Sequence, residues 1–184
     1  MSIESVRRTA SRHHAMPWAT VIEPKSAEEQ QAQISALAGR IGLLAEADRL
    51  TVVVAESLTA GRISQALGAA PASSEWFGGG VIAHQDAARH RLLGVQPGPV
   101  VSAECAEQMA RAVMENVGAD VSVAVTGVSG PGPEEGQPAG TVFISVSTRS
   151  AVRTFPHRFE GSPEAVVALT TISALRHLRE VLLD

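Results

Sequence analysis

The chain has 184 residues, a formal charge of −4 from 15 basic and 19 acidic side chains, and an apolar fraction of 45%. Length and composition describe one globular domain with a mainly aliphatic core, since four Phe, two Trp and no Tyr are present. The acidic balance argues against nucleic acid as a partner, and the single Cys105 excludes an internal disulfide or a thiolate metal cluster. No apolar run reaches the roughly 18 residues of a membrane span, and no signal peptide is visible, so a cytoplasmic location without membrane contact is expected.

Residues 1–25 are polar and basic, with Arg7, Arg8, Arg12, His13 and His14, and read as a mobile arm. Order is expected over 26–184. Ser26 and Glu29 fit a capping box, and Ile34, Leu37, Ile41 and Leu44 recur at helical spacing. Leu50 to Ala55 reads as a first strand. The polar turn Glu56-Ser57-Leu58-Thr59-Ala60-Gly61 follows, then a helix from about Thr59, the better cap by position, to Leu67. Ser73 to Trp76 is a short helical turn into Gly78-Gly79-Gly80, whose glycines imply close backbone approach or positive φ. A second strand, Val81 to His84, leads to Asp86 as the N-cap of a short helix closed by Gly94.

Ser102 caps the next helix, with Ala106, Met109, Val113 and Val117 on its inner face. Val121 to Val125 is another buried strand. It runs into Thr126-Gly127-Val128-Ser129-Gly130-Pro131, the start of a long Gly/Pro-rich loop of the kind that carries function between strands. Thr141 to Val146 and Ala151 to Phe159 pair as an antiparallel hairpin, and Ser162-Pro163 starts a last helix buried by Val166, Leu169, Ile172 and Leu175 or Leu178. This order predicts a single three-layer α/β domain, a mixed sheet with helices on both faces. In such a domain the strand-to-helix turn after the first strand is a natural place for chemistry, because helix N-terminal amides face what sits there. Ser57 at that turn is either a nucleophile or a helix cap. His84 is either a proton acceptor, its ring oriented by Asp86 or Glu56, or a structural residue.

The segment from Glu56 to Gly61 resembles the ESCTGG signature of the CinA C-terminal domain, whose enzymatic members are nicotinamide-nucleotide amidases. The likeness continues through Gly78-Gly79-Gly80-Val81-Ile82-Ala83, Arg91-Leu92-Leu93-Gly94-Val95, Val125-Thr126-Gly127-Val128-Ser129-Gly130-Pro131 and Gly140-Thr141-Val142. Larger members of that family carry a separate N-terminal domain, for which this chain is too short. The resemblance implies hydrolysis of nicotinamide mononucleotide to nicotinic acid mononucleotide and ammonia, with no metal or organic cofactor. It implies Ser57 as nucleophile, assisted by His84 or Arg89. Glu56, Thr59, Gly61, Gly79, Gly80, Thr126, Gly127 and Gly130 would then surround the nucleotide. Where family enzymes read AYSNxxK, this chain has Ala83-His84-Gln85-Asp86-Ala87-Ala88-Arg89, so the lysine suited to activate a serine is Arg89, which stays protonated. The family's GDR is here Gly161-Ser162-Pro163. Two readings therefore stand: an amidase, or a catalytically impaired member that binds a nucleotide or serves as an oligomeric module. A homo-oligomer, dimer or trimer, is expected in either case.

Overall fold

A computed structural model describes residues 26–184; the arm expected over residues 1–25 lies outside the described residues. Helix α1 (Ala27–Asp48) opens on the expected capping box. The Glu29 amide donates to Ser26 Oγ at 3.2 Å, and the Ser26 amide to the Glu29 carboxylate at 2.8 Å. Its buried stripe is Ile34, Leu37, Ala38, Ile41 and Ala45, with Leu44 only half-buried. Strand β1 (Val52–Glu56) begins later than expected, because the Leu50 amide still bonds back to the Ala45 carbonyl and closes the helix.

Helices α2 (Arg62–Gly68) and α3 (Ser73–Trp76) lead to β2 (Phe77–Ile82), then α4 (Asp86–Leu93) and α5 (Ala103–Val117). Strands β3 (Val121–Gly127), β4 (Thr141–Thr148) and β5 (Val152–Arg158) follow, and α6 (Pro163–Val181) closes the chain. The sheet order is β2-β1-β3-β4-β5; β1 runs parallel to β2 and β3, and the β3-β4-β5 pairings are antiparallel. Alternate residues of β1 enter two separate cores. Val52 and Val54 pack with α1, α2 and α6, while Val53 and Ala55 pack with Met109, Ala110 and Val113 of α5 and with Leu93 of α4. The expected three-layer domain with a mixed sheet is thus observed. Among the described residues no helix is long and apolar enough to cross a membrane.

Three local expectations are corrected. The glycines do not precede β2 but lie inside it, at the sheet edge, where a Cβ on Gly80 would collide with the Ser64 side chain of α2. Only at Gly80 does the missing side chain let α2 settle on the strand; a Cβ on Gly78 would crowd Val53, Thr51 and Val117, and one on Gly79 would meet nothing within 4 Å. Gln85, not Asp86, is the N-cap of α4. Val117 is 48% exposed, because α5 ends there and Gly118 turns the chain away.

On the α6 face of β5, His157 stacks on Phe159 and His177 of α6 stacks on Phe155. The two Nε2 atoms lie 3.0 Å apart, so one ring donates and the other accepts through an unprotonated Nε2. Burial, then the neighbouring His177, pushes the His157 pKa down to about 4; His177 is also lowered by burial, although Glu180 at its Nδ1 pulls the other way. Unfolded histidine titrates near 6.5, so the unfolded chain binds the extra proton first. The contribution to stability is complete above pH 6.5 and is lost as pH falls towards 4. Unfolding midpoints measured from pH 7 to 4 should decline over this window, and His157→Gln should flatten the decline.

Candidate active site

The chain leaves β1 towards β2 on one side, and returns across β1 to reach β3 on the other. The carboxyl ends of β1 and β3 therefore flank a topological switch point, the crevice where open α/β sheets hold ligands. Glu56 ends β1 beside Val125 of β3, and the Ser57 amide donates to the Val125 carbonyl at 3.2 Å. Strand alternation sends the two neighbouring side chains to opposite faces, Glu56 towards α2 and Ser57 towards α4 and α5.

Glu56 is fully buried, and its carboxylate fills the N-terminus of α2. Oε2 accepts from the Thr59 hydroxyl at 2.6 Å and from the Gly61 and Ile63 amides at 3.0 and 3.2 Å. Oε1 accepts from the Ser64 amide at 2.8 Å and the Ser64 hydroxyl at 2.7 Å. Helix α2 has no capping side chain of its own; Gly61 is its N-cap, with φ 101 and Ile82 packed against it. The amides expected to face a ligand are therefore occupied by an internal anion. Glu56 and Thr59 hold the turn from within, and Thr59 does not cap the helix as expected. Ser64 is the member of this cluster that the sequence reading missed.

On the other face, Ser57 is 5% exposed and its Oγ accepts from Arg89 Nη1 at 2.8 Å. Arg89, 4% exposed, reaches back from α4. The same Nη1 donates to the Ala83 and His84 carbonyls at 3.1 and 3.2 Å, and Nη2 pairs with Asp86 one helical turn earlier. This guanidinium ties the ends of β1 and β2 together. Arg89 Nε is buried with no hydrogen-bond partner, and the residue borders a cavity of ≈ 140 Å³ that Val100, Ser102 and Cys105 also line. His84 is exposed, and its Nδ1 lies 3.4 Å from the Ser57 carbonyl oxygen rather than Oγ. Neither Asp86 nor Glu56 orients its ring: the first is paired to Arg89, and the second lies on the opposite face.

Thr126 shares the Ser57 face; its hydroxyl donates to the Val100 carbonyl at 2.7 Å, which leaves its oxygen able to accept. Beside it, burial pushes the Cys105 thiol pKa up, opposed by Arg89 and by a hydrogen bond with Thr126; Cys105 is a neutral packing residue. Gly127 still pairs with Val142 in the sheet, and Gly130 lies beyond it beside Pro163. The loop is folded on itself through the Glu134 and Gln137 backbones, and the Glu135 carboxylate takes the Val101 amide at 2.9 Å. Gly79 and Gly80 pair with Val53 and Val54, below the strand end. Ser57, Arg89, Asp86 and His84 are thus joined, and Thr126 shares their face. The Glu56 cluster and Gly80 serve the framework.

These features define a small mixed-sheet α/β domain with a buried serine at its switch point. The CinA C-terminal domain pattern matches residues 34–182, and the chain belongs to that family. Protein YdeJ of Escherichia coli K12 is 37% identical over 143 residues, covering 74% of this chain and 83% of YdeJ. The CinA-like protein of Geobacter sulfurreducens is 36% identical over 140 residues, 73% of this chain but 34% of the relative. The chain spans about a third of the length of several such relatives. Among solved structures, a competence-damaged protein (CinA) superfamily protein from Escherichia coli superposes with a TM-score of 0.79 at 32% identity, over 88% of this chain and 95% of that one.

Proposed function

We propose that this domain hydrolyses the carboxamide of nicotinamide mononucleotide to nicotinic acid mononucleotide and ammonia, with Ser57 as nucleophile and with slow turnover. The observation that carries this reading is the Ser57 hydroxyl at the switch point, accepting a hydrogen bond from a buried guanidinium at 2.8 Å. A positive donor at Oγ stabilises the serine as it develops alkoxide character. Ser57 Oγ forms a bond to the carboxamide carbon, and the C–N bond then breaks. The nitrogen leaves as ammonia with the serine's proton, and water hydrolyses the ester, restoring Ser57 and releasing the acid.

The weak step is proton removal. Arg89 stays protonated at any working pH, and the His84 ring contacts the backbone carbonyl of Ser57 instead of its hydroxyl. No positioned base touches Oγ among the described residues. Loss of such a base costs about 10² to 10⁴ in rate. That same guanidinium favours the second reading, a family member that binds a mononucleotide and turns it over little or not at all. Calorimetric binding of nicotinamide mononucleotide, with ammonia and nicotinic acid mononucleotide measured in the same sample, tests both. Slow equimolar formation of the two products supports the amidase; binding without products supports the binding module; absence of binding defeats both.

A further inference from the structure

Helices α1 and α6 pack side by side on one face of the sheet, with Ala38, Ile41 and Leu175 in their shared core. A groove of ≈ 470 Å³ remains between them, with Ala36, Leu37 and Arg40 on the α1 side and Arg176, Arg179 and Glu180 on the α6 side. Among the described residues, no carboxylate forms an ion pair with Arg40, Arg176 or Arg179. Glu180, which also lines the groove, pairs with His177 Nδ1 at 3.0 Å. Among the described residues Arg179 Nε is buried without a hydrogen-bond partner, which costs stability unless something supplies an acceptor. Three guanidinium groups without an ion pair among the described residues, around one groove, are out of keeping with a chain whose formal charge is −4. The α6 dipole favours a cation in its last turn, which accounts for Arg179 but not for Arg40 in the middle portion of α1.

We propose that this groove binds the pyrophosphate group of a small phosphorylated ligand, a nucleoside diphosphate being the form that best fits it. Guanidinium forks match phosphate oxygens in pairs, and three of them suit two linked phosphates better than one. The groove lies in the size range of ligand pockets, and Ala36 and Leu37 offer an apolar wall for the remainder of the ligand. It is separate from the serine site: α1 and α6 pack on the sheet face of Val52 and Val54, whereas Ser57 meets Arg89 on the opposite face.

The test is calorimetry on the full chain with ADP, pyrophosphate and phosphate at constant ionic strength. ADP and pyrophosphate should bind saturably and more tightly than phosphate. Arg40→Ala with Arg176→Ala should weaken both at least about tenfold, or about 1.4 kcal/mol, while leaving the ligand-free unfolding midpoint in place. Arg149→Ala, which removes an exposed partner of Asp120, should leave binding unchanged. Tighter binding of ADP than pyrophosphate supports a nucleotide ligand; equal binding supports recognition of the pyrophosphate group alone. Absence of saturable binding, or affinity indifferent to the two arginines, overturns the proposal.

Discussion

Glu56→Ala is expected to lower the unfolding free energy by about 3–5 kcal/mol, a loss at the upper end for a single substitution. The carboxylate accepts five hydrogen bonds from Thr59, Gly61, Ile63 and Ser64, all within or just before the first turn of α2. Removing it strands these donors away from water and leaves the N-terminus of α2 without an anion. Glu56→Gln keeps the shape but turns an amide N–H₂ towards groups that also donate, so it too should destabilise, by less than the alanine. Urea midpoints at unchanged slope measure the effect. A Glu56→Gln protein as stable as the wild type would show that the cluster does not hold the turn.

Arg89→Lys is expected to raise ammonia release from nicotinamide mononucleotide, by about 10² if the lysine takes up the serine proton. A buried ammonium sheds its proton far more readily than a guanidinium, which makes lysine a candidate base at this position. The exchange has a structural cost, since one nitrogen cannot hold Ser57, Ala83, His84 and Asp86 together as the guanidinium does. His84→Ala should change turnover by no more than about twofold, because a ring that does not contact Oγ supplies no positioned proton transfer. The reverse pattern, with turnover abolished in His84→Ala and unmoved in Arg89→Lys, would assign the base to His84.

The periodic helices and the alternating hairpin were legible in the sequence, because burial imposes their spacing directly. So were the α1 capping box and the Ser162 cap with Pro163, since both act within one helical turn. Thr59 misled for a reason of the same kind. Its position suits a cap, but a buried carboxylate from the strand before it outcompetes a hydroxyl for the α2 amides. A signal for that was present in the acid ending an otherwise apolar strand, ahead of a helix whose start lacks a capping side chain. For Gly80 the sequence left open whether a helix or a ligand approaches the backbone, because sequence does not distinguish the two; it is α2 that does. Ser57 and Arg89 stand far apart in sequence, and their contact depends on the parallel pairing of β1 with β2, which no local pattern encodes.

Ammonia release from nicotinamide mononucleotide, compared between the wild type and Ser57→Ala, tests the central reading most directly. The serine hydroxyl is small and lies at the domain's switch point, so its removal should spare folding and nucleotide binding. The account predicts slow release by the wild type, matched by nicotinic acid mononucleotide, and release at the uncatalysed background in Ser57→Ala. Equal release by the two proteins, each bound to the nucleotide, would contradict it.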